Sequence, residues 1–134
     1  MAVKPIPDGY HTVTPYLIVP DVPREIEFLQ KALGARESYR STAPDGTVNH
    51  AEVQIGDSRV MMGQAQDKWP ANQSMLYLYV EDVDAWYHRA IEAGAASVRE
   101  LTDERYGDRV GGIQDPFGNQ WWIATHKVDM PTGS

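Results

Sequence analysis

His50 and Glu52 stand two residues apart in the stretch NHAEVQ. Neighbours in an extended strand point to opposite faces, so an imidazole and a carboxylate at this spacing share one face. They supply either two metal ligands or a hydrogen-bonded pair. The pair is the plainer expectation, because no second such couple accompanies it. A different chemistry is offered by soft and aromatic side chains, namely Tyr16, Met62, Trp69, Met75, Tyr77, Tyr79 and Trp122. Rings and thioethers fill a core or line a site for a flat ligand, and the tyrosine hydroxyls and indole N–H groups want polar partners. The chain has no cysteine, so thiolate chemistry and disulfides are excluded and a metal would need His, Asp or Glu. No G-x-S-x-G elbow, G-x-x-x-x-G-K-[ST] loop or G-x-G-x-x-G fingerprint is present.

The stretch DPFGNQWWIATH, from Asp115 to His126, sharpens the question, because Trp121 and Trp122 are adjacent. One indole joins the core and the other looks the opposite way. Asp115 belongs to the turn, where Asp-Pro followed by Gly-Asn is structural chemistry.

The elements that must position these residues occur twice. YLIVPDV from Tyr16 and YLYVEDV from Tyr77 share five residues at one offset (77 − 16 = 61). Each runs into a helical pattern ending in Gly-Ala. In the first, Val22, Ile26, Leu29 and Leu33 form an apolar stripe, with Asp21 as N-cap, Pro23 in the first turn and Gly34 beyond the end. In the second, Asp82 is the cap and Val83, Tyr87 and Ala90 take the matching positions. Three strand-like segments follow each helix, roughly 36–43, 48–55 and 58–63, then 96–101, 108–114 and 120–126. Each half is therefore βαβββ, duplicated from one supersecondary unit.

Parity assigns faces. Leu17 and Val19, like Leu76, Leu78 and Val80, form the aliphatic set expected toward the helices. Thr14, Tyr16, Met75, Tyr77 and Tyr79 then face the other way. Trp121 and Ile123 fall on the helix side, and Trp122, Ala124 and His126 point inward, His126 in a supporting role only. His11 and His88 read as surface residues, and the run Arg24-Glu25-Glu27-Lys31 as a solvated helix face. Asp108-Arg109 reads as a cap or ion pair near a turn, with Arg109 gripping an anion at a cavity mouth as the other reading. The loop from Gln64 to Gln73 carries Trp69, which is placed to close over a ligand. The leader (1–9) and the tail VDMPTGS are expected to be poorly ordered.

The paired βαβββ modules, the Leu-x-Val-x-Asp strand ends and the DPFGN hairpin together resemble the glyoxalase/bleomycin-resistance/dioxygenase family, the vicinal oxygen chelate proteins. TPYLIVPD, NHAEVQIGDSRVMMG and GDRVGGIQDPFGNQWWIATH resemble its PhnB-like branch most closely, and the likeness covers about residues 12–127. The resemblance implies an α+β fold, two modules (about 12–63 and 74–127) forming a curved mixed sheet around a cavity with helices outside. It makes 1–134 a single domain with its core at about 10–127. It also implies a homodimer, and in the enzymes a divalent metal held by one His, Gln or Glu from each of four strands. Carried over residue by residue, those slots fall on Thr14, Met75, Trp122 and one of Met62 or Val60. A thioether suits soft metals and a hydroxyl is a poor ligand for zinc, nickel or manganese, so the expectation is no metal and no cofactor.

Net charge is −7, from 19 acidic against 12 basic residues, which makes nucleic acid a poor partner. No apolar run approaches the ~20 residues of a membrane span, and the start lacks a secretory pattern, so a cytoplasmic protein is expected. The leading reading is a metal-free small-molecule binding protein of the bleomycin-resistance type, active in antibiotic resistance. It holds a planar or aromatic ligand with Thr14, Tyr16, His50, Met62, Trp69, Met75, Tyr77, Tyr79 and Trp122. Its alternatives are a metal-dependent glyoxalase-like lyase, isomerase or dioxygenase with unusual ligands around His50 and Glu52, and a metal-free catalyst using His50 or a tyrosine as general acid/base.

Overall fold

A computed structural model of the chain describes residues 2–129. The elements run β1 (Tyr16–Val19), α1 (Val22–Leu33), β2 (Arg36–Thr42), β3 (Val48–Ile55), β4 (Ser58–Gln64), β5 (Met75–Tyr79), α2 (Val83–Glu92), β6 (Ala96–Asp103), β7 (Asp108–Gln114) and β8 (Gln120–His126). The order is βαβββ twice, an α+β architecture with the element count and boundaries that periodicity and turn residues indicate. Two compact units result, residues up to 30 with 34–72, and 31–33 with 73 onward. Among the described residues the leader carries no strand or helix, and most of the tail, residues 130–134, lies outside them.

In the first unit the sheet order is β1-β4-β3-β2, with β1 parallel to β4 and the other pairs antiparallel. Gly56 and Asp57 make a two-residue hairpin between β3 and β4, so Ile55 pairs with Ser58 and Ala51 with Met62. One face of this sheet is buried and aliphatic, with Leu17, Val19, Ala51, Val53, Val60 and Met62. Helix α1 begins where the Asp21 side chain accepts from the Arg24 N–H, and ends at Gly34 in the left-handed region (φ 65°). Its stripe of Val22, Ile26, Leu29 and Leu33 is buried as its spacing requires. Glu25 departs from the solvated face expected of its run. It is fully buried, and it sits in the first turn, where exposed N–H groups and the helix dipole favour a carboxylate.

The second unit repeats this plan with sheet order β5-β8-β7-β6 and β5 parallel to β8. Helix α2 starts at Asp82, whose side chain accepts from the Ala85 N–H, and lies on β6, β7 and β8. Val83, Tyr87 and Ala90 are its buried residues. Tyr87 needs a glycine beneath it, since a Cβ on Gly111 would come within 2.5 Å of the ring. Trp121 and Ile123 are buried on this helix-bearing side. No helix among the described residues is long and apolar enough to cross a membrane.

Candidate functional site

The sheet face opposite the aliphatic core of the first unit is polar and aromatic. Gly63 on β4 lies between Ile18 on β1 and His50 on β3, and Tyr16, which pairs with Met61, reaches His50 obliquely across that glycine. Strands are ~4.8 Å apart, so a side chain on β1 reaches β3 only by lying across β4. Tyr16 does this because residue 63 is glycine. A Cβ there would sit 2.9 Å from Tyr16 Oη. The Tyr16 hydroxyl lies 3.0 Å from His50 Nδ1, and His50 Nε2 lies 3.0 Å from Glu52 Oε2. The same carboxylate accepts from the Tyr10 hydroxyl, and the Arg59 guanidinium stands 5.2 Å from the centre of the Tyr10 ring.

Charge fixes the protons in this chain. Burial pushes the Glu52 carboxyl up, but hydrogen bonds from His50 and Tyr10, helped by Arg59, hold it below the usual carboxylate range. An ionised carboxylate only accepts, so His50 Nε2 carries the proton, and in the neutral ring Nδ1 accepts from the Tyr16 hydroxyl. The Tyr10 phenol is pushed up, chiefly by its hydrogen bond to Glu52. Beside this chain opens a hollow of about 620 Å³. Tyr16, Ile18 and Trp69 give it flat and apolar walls, and Ser41, Asn49, His50, Gln64 and Gln66 add neutral or titratable polar groups. Trp69 is held there by structure. Gln66 and Trp69 exchange backbone hydrogen bonds at 2.9 and 3.0 Å, and Asn72 bonds both the N–H and the C=O of Ile18 at 3.1 Å. The loop expected to close over a ligand is thus stitched to the edge of β1.

The second unit gathers its groups around Asp108, which the sequence reading took as a cap or ion pair near a turn. Asp108 is buried, at 2% exposure, on the face opposite α2. Its Oδ2 accepts from the hydroxyls of Tyr77 and Tyr79, both at 2.8 Å, and its Oδ1 lies 2.8 Å from His126 Nδ1. The other ring nitrogen of His126 reaches Asp129 at 2.6 Å. Both nitrogens face carboxylates, an arrangement that favours the doubly protonated ring. Accordingly the hydrogen bonds to Asp108 and Asp129 raise the His126 pKa above its ordinary value. Burial pushes Asp108 up, yet His126, Tyr77 and Tyr79 together hold it below the usual range. Tyr77 is pushed far up, first by burial and then by its bonds to Tyr106 and Asp108. Met75 and Trp122 share this face, Trp122 beside Tyr77 on the β5–β8 ladder with its indole N–H on Gln120 Oε1 at 3.0 Å.

The expected residues therefore separate into groups. Tyr16, His50 and Trp69 come together at the hollow, while Met75, Tyr77, Tyr79 and Trp122 share the open face of the second sheet. Met62 is corrected: it is fully buried, paired with Leu17 and Ala51 on the core side, and Val60 is buried with it. The strand residues on the open side are Met61 and Gly63. The two-residue hairpin at Gly56-Asp57 decides this, since it pairs the core residues Ala51 and Val53 with Met62 and Val60. Thr14 lies before β1 and donates to the His11 carbonyl at 3.2 Å, outside the hollow's lining. Arg109 is corrected as an anion grip: it forks onto Asp84 at 2.8 and 3.2 Å and reaches Asp103 at 3.4 Å. The ion-pair reading of Asp108-Arg109 holds, since Arg109 pairs with Asp84 and Asp108 with His126, while Tyr10, Tyr106 and Gly63 were missed.

The divalent metal that the family's enzymes carry does not fit the residues here. The slots hold Thr14, Met75, Trp122 and one of Met62 or Val60. His50 and Glu52 are bonded to each other, and among the described residues no group of three or more His, Asp or Glu is placed to hold a metal ion.

Comparison with known proteins agrees with the fold. Residues 10–123 match the family model described as Glyoxalase/Bleomycin resistance protein/Dioxygenase superfamily. Uncharacterized protein Mb0911c of Mycobacterium bovis is 37% identical over 120 residues, covering 81% of this chain and 79% of that protein. The crystal structure of TioX from Micromonospora sp. ML1 is similar with a TM-score of 0.75 and 26% identity, covering 87% of this chain and 98% of that one. Fosfomycin resistance protein FosX from Mesorhizobium loti shares the fold with a TM-score of 0.64 at 22% identity, covering 84% and 89%.

Proposed function

The chain belongs to the glyoxalase/bleomycin resistance protein/dioxygenase superfamily, and from that premise we propose that it is a metal-free small-molecule binding protein holding a planar or aromatic ligand. The observation that carries this reading is the hollow of the first unit, with rings of Tyr16 and Trp69 and neutral polar groups on its walls. Such a lining suits a flat molecule anchored by a few hydrogen bonds, and a stacked aromatic pair adds about 0.5–1.5 kcal/mol beyond the area it buries. The poor donor set at the family's metal slots supports a ligand held without a cation. The open face of the second sheet, with Met75, Tyr77, Tyr79 and Trp122, offers a further aromatic surface of the same kind. A place in the PhnB-like branch, a homodimer in the cytoplasm and a role in antibiotic resistance belong to the same proposal. The likeness in fold to a fosfomycin resistance protein is in keeping with it.

The test is tryptophan fluorescence of demetallated protein titrated with planar aromatics, proflavine as a cation and acridine as a largely neutral counterpart. Saturable quenching without metal, at least tenfold weaker in Trp69→Ala, is expected. Quenching that requires added zinc, nickel or manganese, or uptake of one metal per chain that His50→Ala abolishes, overturns the reading.

A further inference from the structure

We propose that Tyr16, His50 and Glu52 form a proton-transfer centre, with Tyr16 Oη as the atom that meets the substrate, a planar uncharged carbonyl compound bearing a C–H beside the carbonyl. This goes beyond holding a ligand. The argument rests first on geometry. The two 3.0 Å contacts of His50 run in series, from the Tyr16 hydroxyl to Nδ1 and from Nε2 to the Glu52 carboxylate. That is the order nucleophile or base, imidazole, orienting carboxylate, which activates a hydroxyl in general acid–base chemistry. The two ends differ in the way this role needs. Glu52 is buried, and its one ion-pair partner among the described residues is His50. Tyr16 is 46% exposed and lines the hollow. Gly63 gives the phenol the space it needs to reach across β4, so the arrangement is built into the strand rather than left to a flexible side chain.

The substrate class follows from the walls. Among the described residues no Lys, Arg, Asp or Glu lines the hollow, which favours an uncharged ligand over a carboxylate, phosphate or ammonium. Ser41, Asn49, Gln64 and Gln66 supply hydroxyl and amide groups to hold a carbonyl oxygen, and Trp69 gives a flat surface. The step balances without a co-reactant. The C–H proton passes to Tyr16 Oη as the Tyr16 proton passes to His50 Nδ1, and the C–H electron pair becomes that of an enolate. Glu52 stabilises the imidazolium. Return of the proton through Tyr16 to a different atom of the enolate completes a tautomerisation. The titratable and charged groups around His50 are Tyr16 from β1, Tyr39 from β2 with its ring 6.0 Å away, and Glu52 from β3, backed by Tyr10 and Arg59.

The first experiment labels the intact protein with benzenesulfonyl fluoride and maps each tyrosine by peptide mass spectrometry from pH 5 to pH 10. The S–F bond breaks, an S–O bond forms at the phenol, fluoride leaves and the phenolic proton goes to His50. Tyr16 is expected to react at least tenfold faster than Tyr39 at pH 8. His50→Gln should remove the excess rate. A Tyr16 rate that climbs in parallel with Tyr39 across the pH range, or that ignores His50→Gln, overturns the centre. If that variant does not fold, the ratio of Tyr16 to Tyr39 labelling in the wild type decides it. The second experiment follows C–H exchange of 2-indanone in D2O by NMR. Exchange should exceed that with Tyr16→Phe at least tenfold, and activated Tyr16 labelling without such exchange overturns the carbonyl assignment. Acridine quenching is independent of both, so failure of the binding reading is distinguishable from failure of this one.

Discussion

Replacing Asp115 by Ala tests why Trp122 faces the way it does. Asp115 is buried in the turn between β7 and β8, and its carboxylate accepts from three donors. Oδ1 takes the Phe117 and Asn119 N–H groups at 2.9 and 3.0 Å, and Oδ2 takes the Trp121 indole N–H at 3.0 Å. Asn119 and Trp121 are fully buried, so Asp115→Ala strands two donors away from water at about 1–3 kcal/mol each. The Phe117 amide is half-buried and recovers a water. The expected loss is about 3–5 kcal/mol, a fall in Tm of roughly 10–20 °C for a chain of this size. Asp115→Asn should cost about half as much, because its amide oxygen still serves the two backbone donors while its NH2 opposes the indole.

The assay is thermal unfolding followed by circular dichroism, with the indole N–H resonances in a two-dimensional NMR spectrum. The Trp121 resonance should shift in both variants and that of Trp122 should move little in Asp115→Asn. The bond matters for function because strand side chains alternate with a period of two. A slip of β8 by one residue would put Trp121 on the open face and Trp122 in the core. A Tm for Asp115→Ala within 4 °C of wild type would refute the reasoning, since the buried donors would then have found other partners.

Three further outcomes follow, two from the groups around Asp108 and one from the strand register. The His126 titration, read by NMR, should lie above the ordinary histidine value of about 6.5 and fall back toward it in Asp108→Asn. Because its folded pKa is raised, His126 stabilises the fold fully below about pH 6.5 and that contribution is lost as pH rises through the folded value. Asp108, with its folded pKa lowered, stabilises above about pH 3.9 and is lost as pH falls through its folded value. Urea unfolding should therefore show Asp108→Asn hurting most between about pH 4 and 6.5, and an equal loss at pH 9 would contradict the pairing. In β4, Met62→Ala should cost about 2–5 kcal/mol as a core truncation, against about 1 kcal/mol or less for the half-buried Met61→Ala. The reverse order would show that the strand lies in the other register.

Much of this was legible because duplication and capping leave marks in short stretches. The 61-residue offset between Tyr16 and Tyr77 exposes the repeat, and Asp21, Gly34 and Asp82 cap the helices where their chemistry places them. Alternation placed Trp121 with the core and Trp122 opposite. Glu25 was hidden because its charge argues for solvent while its turn of the helix argues for burial.

The misplacement of Met62 and the unnamed partner of Asp108 share a cause, because both were decided strand by strand when hairpin closure decides them in pairs. Once Gly56 and Asp57 close a two-residue turn, pairing Ile55 with Ser58 forces Ala51 onto Met62 and His50 onto Gly63. Once Asp115 to Asn119 close the second turn, Gln114 meets Gln120, and Asp108 is carried opposite His126. A carboxylate across an antiparallel ladder from a histidine is a visible pair. Tyr16, Tyr77 and Tyr79 are different. They arrive on strands that join the sheet in parallel, through a crossover whose register is set by helix packing rather than by a turn. No local pattern tells which hydroxyl reaches which partner. Only the glycine at 63 hints that something must pass over it, and what passes is the phenol that meets His50.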